Sequence, residues 1–307
     1  MVLAANPAVW QEAMTSPLAV RDRHARRHEM PGDLQLSKVL ECPVCGTALR
    51  FDRSGLRNCC DRPRGSAMDG LLLQYEPTVV ESPTAEARAR DRQARGYLSH
   101  GKFPTQLYRM RQFIHSLPAP SELPVLDLGC GPGPTTALLL QAGHSVVAVD
   151  FSAESLRANA SHCGPVMDRA LFVHADLRTL RFISKRASGL MMSDFLAQLG
   201  DQSIQRDFLA RAFEALVPGG WFFLSVVNTN LKNLIRRDLV GSFSDGAIVY
   251  HRLTARKVVN MIPEDIVVES ITPMNIFHGV ALDRLAANLP FAKLFARWIL
   301  VCGRKRQ

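Results

Sequence analysis

The chain has 307 residues, 47% of them hydrophobic and 21% charged, which suits one large domain or two with an ample core. No apolar run reaches the roughly 18 residues of a membrane-spanning helix, and the N-terminus lacks the pattern of a secretory signal, so we expect a soluble cytoplasmic protein. The net charge of +9 lies outside residues 111–230, where it could attract RNA or acidic substrates or simply form a solvated arginine-rich surface.

The first 83 residues divide into a weakly patterned arm (1–37) and a segment rich in cysteine and turn formers (38–83). The sequence CPVCG at 42–46 is typical of half a zinc knuckle, because two thiolates are followed by a glycine that turns the backbone. A zinc ribbon needs a second C-x-x-C about 15 residues later, but the chain has adjacent cysteines there. The sequence therefore leaves open a zinc site, with Cys42, Cys45, Cys59 and Cys60 as ligands, and a degenerate ribbon without metal.

Residues 84–117 have a helical pattern, and Pro104 is expected to open a second helix. From residue 125 onward, short apolar strands alternate with helices. The strands are predicted at 125–129, 145–150, 170–176, 189–194 and 221–227, and two more follow at 271–277 and 295–305. This alternation predicts an α/β fold, a Rossmann-like, doubly wound and mostly parallel seven-stranded sheet preceded by the small cysteine-rich module.

A glycine-dense turn, GCGPG at 129–133, joins the first of these strands to a helix. Doubly wound sheets bind their ligands at such a turn, and glycine allows the backbone to approach a ligand closely. A dinucleotide fingerprint would need a third glycine at position 134, which is Pro134, and the chain has no P-loop match here. The turn therefore predicts a nucleotide-like ligand other than NAD or a P-loop nucleotide.

Four motifs in order resemble those of the class I S-adenosylmethionine (SAM)-dependent methyltransferases, over about residues 100–305. They are Asp127 before G-x-G-x-G, Asp150 at the end of the second strand, Asp176 after the third and LVPGGW before the fifth. The resemblance implies that Asp150 binds the ribose hydroxyls, for which an ionised carboxylate is a strong acceptor, and that Asp176 lies near the adenine. The implied cofactor-binding residues are Asp127, Gly129, Cys130, Gly131, Gly133, Asp150, Phe151, Asp176, Leu177 and Ser193, with Cys130 as a packing residue rather than a nucleophile.

The methyl acceptor is less constrained. The amino-methylating families have two prolines in the loop after the fourth strand, and here Ser193-Asp194-Phe195-Leu196 has neither. Cytosine-C5 methylation uses a catalytic cysteine, commonly after a proline, and this chain contains no Pro-Cys dipeptide. His100, Asp194 and His251 are the candidate catalytic bases, each with an ordinary structural role as the alternative.

The predicted methyltransferase domain spans residues 84–307, and its segment 229–290 contains an insertion of the kind that builds a substrate lid. Five basic residues of this insertion could contact an acidic acceptor or form a solvated helix face: Lys232, Arg236, Arg237, Arg252 and Arg256.

Three functions remain open at this point. We favour SAM-dependent methyl transfer to a small-molecule biosynthetic intermediate. The alternative is an rRNA or tRNA base methyltransferase guided by the cysteine-rich module and basic flanks, because a cysteine finger before a SAM domain resembles the bacterial 23S rRNA guanine-N1 methyltransferases. The third is a non-catalytic SAM-fold binding module. The sequence gives SAM as cofactor, leaves zinc open and does not predict the oligomeric state.

Overall fold

The structure, a computed structural model, describes residues 39–42, 46–48, 50–52, 55–57, 67–68, 72–74, 85–100, 104–277 and 279–307. The strands are β1 (Arg50–Asp52), β2 (Gly55–Arg57), β3 (Ala67–Met68), β4 (Leu72–Gln74), β5 (Val125–Leu128), β6 (Val146–Asp150), β7 (Ala170–His174), β8 (Ala187–Ser193), β9 (Leu216–Val227), β10 (Val240–Phe243), β11 (Ile248–His251), β12 (Ile266–Met274) and β13 (Trp298–Lys305). The α-helices are α1 (Ala85–His100), α2 (Pro104–Ser116), α3 (Thr135–Gln141), α4 (Ala153–Cys163), α5 (Gln202–Ala215), α6 (Leu231–Arg236), α7 (Ala255–Val259), α8 (Val280–Ala286) and α9 (Ala292–Phe295). No helix in these ranges is long and apolar enough to cross a membrane.

The main sheet has the order β12-β13-β9-β8-β5-β6-β7-β4-β3. The strands from β9 to β4 are parallel, while β13 pairs antiparallel with both β9 and β12. The seven predicted strands are therefore confirmed as β5 to β9, β12 and β13. The sheet is nevertheless wider than predicted, because β3 and β4, from the cysteine-rich segment, extend it beyond β7.

The central strands are buried on both faces, because helices cover the sheet on each side. Val147 and Val149 of β6 face a core that includes Phe208 and Phe213 of α5. The alternate residues of the same strand face a second core, formed with α2, α3 and α4. This double burial explains why β5 and β6 read as continuous apolar runs rather than as alternating patterns.

Part of the described N-terminal segment, residues 39–42 with β3 and β4, belongs to the same sheet domain. Val39 and Leu40 are buried in the core with α5, and the Ile183 N–H donates to the Val39 carbonyl at 2.8 Å. Because β4 also pairs with β7, strands and core residues from both sides of position 83 share one sheet and one core.

The insertion after β9 interrupts the strand–helix alternation, as predicted. It consists of α6, the antiparallel hairpin β10–β11 and α7. The Leu253 N–H donates to the Val227 carbonyl at 2.9 Å, which ties the end of the hairpin to the end of β9. The hairpin is thereby held at the carboxyl edge of the parallel strands.

Candidate active site

A cavity lies at this carboxyl edge, where β5, β6, β7 and β8 end. Its described lining comes from the glycine turn, the ends of the strands, α1 and the hairpin: Glu86, Arg90, Gln93, Ala94, Gly129, Cys130, Gly131, Pro132, Asp150, Phe151, Ser155, Asp176, Leu177, Arg178, Ser193, Asp194, Phe195, Gln198, Leu199 and Phe243. Eight of the ten predicted cofactor-binding residues are in this set. Asp127 and Gly133 are buried behind it.

Two glycines of the turn have positive φ for different reasons. Gly129 has φ +64°, and a Cβ there would lie 2.5 Å from Cγ of Phe195, so the position needs glycine for packing as well as for backbone conformation. Gly131 has φ +54°, and no described heavy atom lies within 4 Å of the Cβ it would carry. The open side of the turn is therefore at Gly131, where backbone can approach a ligand.

Side chains behind the turn hold it in this shape. Asn159 of α4 is fully buried, and its Nδ2 donates to the Gly131 carbonyl at 2.8 Å. Nδ1 of His162 lies 3.1 Å from the Pro132 carbonyl. Asp127, predicted to bind cofactor, is also fully buried and accepts from Oγ1 of Thr136 at 2.7 Å. These contacts fix the backbone of the turn before any ligand enters.

The Asp150 carboxylate connects the turn to the start of α4. One oxygen accepts the Gly131 N–H at 2.8 Å, and the other accepts the Ser152 N–H at 2.9 Å. Burial raises the pKa of Asp150 above its ordinary value, and the two backbone hydrogen bonds and the charge of Arg90 oppose that rise. Each oxygen keeps a second lone pair for a ligand hydroxyl.

Asp176 is engaged by a cation that the sequence analysis did not identify. Its carboxylate forms a bidentate pair with Arg178, with Nε 2.9 Å from both oxygens. The hydrogen bond with Asp176 raises the pKa of Arg178. Both members of the pair line the cavity, together with Leu177 between them in sequence.

Asp194 follows β8 and has φ +66°, a conformation that is uncommon outside glycine and that is found at functional sites. Its Oδ1 accepts from Oγ of Ser225 at 2.6 Å, and its Oδ2 accepts from Nε2 of Gln106 at 2.8 Å. Ser193 precedes it, with its Oγ 3.5 Å from that of Ser225. The carboxylate is thus fixed in the cavity wall by α2 and β9.

Helix α1 and the β10–β11 hairpin cover the cavity. Arg90 of α1 lies 3.5 Å from Glu86 and donates a hydrogen bond to the side chain of Gln198. Its guanidinium also stacks 5.6 Å above the ring centroid of Phe243 from the hairpin. The contacts with Gln198 and Phe243 tie the two covering elements to the wall that follows Asp194. Arg90 and Gln106 were not predicted, because their partners are distant in sequence.

The other predicted catalytic residues lie elsewhere or lack a described side chain. His251 ends β11 and is absent from the described lining of the cavity. His100 ends α1, and its side chain lies outside the described residues. Of the three candidate bases, Asp194 is the one that the described structure places in the cavity.

None of the five basic residues predicted to contact the acceptor is among the described lining residues. Arg252 instead pairs with Asp238 at 2.8 Å and stacks on Tyr250. From this insertion the described lining contains Phe243, and an acceptor contact by the basic residues stays a prediction.

Of the four cysteines predicted to bind zinc, Cys45, Cys59 and Cys60 lie outside the described residues. Cys42 is buried in the main core, and its N–H and carbonyl bond to Thr47 and Gly46 across a tight turn. Gly46 has φ +70°, the turn that a knuckle glycine is expected to make. The zinc site stays a prediction.

Burial raises the pKa of the Cys130 thiol well above its ordinary value, and the charges of Asp150 and Asp127 add to this rise. The thiolate, which would be the nucleophile, is therefore disfavoured. This supports the prediction that Cys130 packs inside the turn.

The fold and the site define a Rossmann-like domain with a cavity at the carboxyl edge of its parallel strands. Residues 125–220 match the model of a family described as "Methyltransferase domain". The chain resembles the CcbJ methyltransferase of Streptomyces caelestis with a TM-score of 0.56, at 17% identity over 74% of this chain and 100% of the other. It also resembles a putative S-adenosylmethionine-dependent methyltransferase of Listeria monocytogenes, with a TM-score of 0.52 at 15% identity over 65% and 96%. No curated protein gave a match.

The site fits SAM in the features that the cofactor requires. Gly131 leaves open space for a ligand, Asp150 offers acceptor positions for ribose hydroxyls, and the Asp176–Arg178 pair lines the same cavity. Together with the matched family model, these features identify the protein as a SAM-dependent methyltransferase, with SAM as the methyl donor.

Proposed function

We propose that the protein methylates a small-molecule biosynthetic intermediate, and that Asp194 orients this acceptor and receives its proton. The observation that carries the proposal is the chemistry of the cavity. Among its described lining residues are four carboxylates, Glu86, Asp150, Asp176 and Asp194, but only two guanidinium groups.

The two guanidinium groups are already paired with carboxylates. Arg178 is bound to Asp176, and Arg90 lies against Glu86 and Gln198. An RNA backbone needs unpaired cations along its path, since its binding energy comes largely from neutralised phosphates. A covered cavity in which acidic groups outnumber basic ones therefore favours a compact acceptor without a polyanionic backbone.

Asp194 has the geometry of a positioned base. Its two oxygens are held by Ser225 and Gln106, so its orientation is fixed, and the second lone pairs remain for an acceptor hydroxyl or amine. SAM supplies an electrophilic methyl group when bound. An acceptor held by Asp194 would be oriented for displacement at that group, and positioning supplies much of the rate of such reactions.

The experiment is a labelling assay with radioactive SAM. The protein is incubated in parallel with a metabolite extract and with total RNA, and the labelled fraction is identified by chromatography. We expect label in a small-molecule fraction. Label in RNA alone would overturn the proposal in favour of the RNA-modifying alternative.

The role of Asp194 is tested with Asp194→Asn, which keeps the shape of the side chain but removes its charge. We expect turnover to fall by roughly 100-fold or more, as for loss of a general base, with SAM affinity within about threefold of wild type. Glu154→Gln, which removes a charge from a partly buried position on α4 outside the described cavity lining, is the matched control. Undiminished turnover of Asp194→Asn would remove the residue from the mechanism.

A further inference from the structure

Helices α8 and α9 and their connection expose an unusual number of large apolar side chains. Six of them are between 37% and 75% exposed: Leu282, Leu285, Leu289, Phe291, Leu294 and Phe295. We call these six residues the α8–α9 surface. Single exposed leucines are common, but a run of this kind marks an interaction site.

The surface continues onto the lid insertion. Nδ2 of Asn228, just after β9, donates to the carbonyls of Lys293 and Ala296 at 2.7 and 2.9 Å, which anchors α9 at the end of that strand. Helix α6 contacts α9 and exposes two more apolar side chains, with Leu234 45% and Ile235 75% exposed. The apolar area thus spans three helices at the carboxyl edge of the sheet.

The inner sides of α8 and α9 are packed and hydrogen-bonded to the rest of the protein, so these helices are fixed in place although their outer sides are exposed. Asp283 is fully buried and accepts the N–H groups of Asn275 and Ile276 at 3.1 and 2.6 Å. Ala286, Ala292 and Ala296 are buried on the inner side. Small residues therefore face the protein, while leucine and phenylalanine face outward.

The charges on this surface have one sign. Asp283 is the only acidic residue between positions 276 and 307, and it is buried. Arg284 and Lys293 lie exposed among the apolar side chains, and α6 adds Lys232 and Arg236. An amphipathic surface of leucine, phenylalanine and cations, without exposed acids of its own in this segment, is complementary to anionic lipid headgroups and the acyl boundary beneath them.

We propose that the α8–α9 surface docks the protein on anionic lipid membranes as a peripheral protein. A second copy of the chain is a poorer fit, since a two-fold contact through this surface would bring Arg284 and Lys293 against their own equivalents with no exposed acid in the segment to pair them. The proposal concerns this surface alone and stands whether or not the acceptor is a small molecule.

The test is co-sedimentation of the full chain with vesicles of phosphatidylcholine containing phosphatidylglycerol, beside vesicles of phosphatidylcholine alone. We expect binding to the anionic vesicles that weakens with added salt. Leu285→Glu combined with Phe291→Glu should lower the bound fraction at least tenfold, because two carboxylates would replace two of the most exposed apolar groups. Val267→Glu, an equivalent change at a 42% exposed site on β12, is the matched control and should bind as wild type.

Thermal melting of each variant separates loss of binding from loss of fold. Failure of the wild type to bind anionic vesicles at low salt would overturn the proposal, as would equal binding by the double variant. Light scattering after gel filtration measures the oligomeric state and so tests whether a second copy of the chain covers this surface instead. A stable dimer that the double variant converts to monomer would assign the surface to a second copy instead.

Discussion

Asp150 combines a structural role in the glycine turn with the predicted role of binding the ribose. Its carboxylate is the acceptor that fixes Gly131 and Ser152, and it also lines the cavity. Burial makes the ionised form costly, so the two N–H donors offset part of that cost before the cofactor arrives. Removing the charge should therefore affect binding more than the overall fold.

We expect Asp150→Asn to weaken SAM binding by at least roughly tenfold, since a hydrogen bond to a charged group contributes about 1.5–3 kcal/mol. Isothermal calorimetry measures the affinity, and circular dichroism checks that the variant is folded. Glu154→Gln, in the first turn of α4 and outside the described lining, should leave the affinity unchanged. Equal affinity of Asp150→Asn and wild type would refute the ribose assignment.

The ionisation of Asp150 should also make the affinity for SAM depend on pH. Burial raises the pKa of Asp150 above its ordinary value. If the ionised form accepts the ribose hydroxyls, SAM affinity should be full above the raised pKa and fall as the pH drops through it. Below that pKa the affinity is expected to fall by about tenfold per pH unit, which calorimetry between neutral and mildly acidic pH would follow. In Asp150→Asn this dependence should flatten. A wild-type affinity that varies with pH no more than that of Asp150→Asn would contradict it.

Which residues could be found from sequence depended on how far apart their partners lie. Asp150 and the glycine turn belong to one short strand–turn–helix pattern, so the sequence located them. Gln106 meets Asp194 across 88 positions, and Arg90 meets Gln198 across 108, and no local pattern encodes such pairs. The position of His251 relative to the cavity was likewise not predictable, because the orientation of the hairpin depends on tertiary contacts.

At the scale of elements, the glycine turn contains two positions with the same backbone conformation and different surroundings. The positive φ at Gly129 and Gly131 follows from the need to reverse the chain between β5 and α3. Only at Gly129 does a packed ring, that of Phe195, fill the space of a Cβ. Substitution at the two positions should therefore separate stability from cofactor binding.

We expect Gly129→Ala to lower the free energy of unfolding by about 2–4 kcal/mol, because the strained φ and the clash with Phe195 add. Gly131→Ala should cost only about 1–2 kcal/mol of stability. Its methyl group would enter space open to the ligand, so it should weaken SAM binding by roughly tenfold or more. Urea unfolding and calorimetry on the two variants give both quantities. A larger loss of stability in Gly131→Ala than in Gly129→Ala would contradict the packing described around the turn.

The strand and helix pattern from residue 125 onward was predictable, because each element has a distinct period and clear boundaries. Strands β3 and β4 were not, since they are two and three residues long and lie in a segment whose cysteines suggested a separate module. Such short strands depend on the neighbours that they pair with, β7 for β4 and β4 for β3, rather than on their own sequence.

At the scale of the whole molecule, the N-terminal segment shares the core of the catalytic domain. Leu40 is fully buried, lies in one cluster with Leu180 and forms a bridge with Phe182, although these residues are about 140 positions away. An independent module joined by a linker would leave the stability of the SAM domain unchanged when its own interior is altered. The two arrangements therefore differ in a measurable way.

We expect Leu40→Ala to lower the free energy of unfolding of the whole protein by about 2–5 kcal/mol, because truncating a buried leucine loses its packing and leaves a cavity. Unfolding should remain one cooperative transition, since the lost contacts are with residues of the sheet domain that follow β7. The SAM affinity of the folded variant should stay within about threefold of wild type. Leu289→Ala, at a 60% exposed site, is the matched control and should change stability by less than about 0.5 kcal/mol. Two separate transitions, with only the smaller one shifted by Leu40→Ala, would show instead that the segment folds on its own.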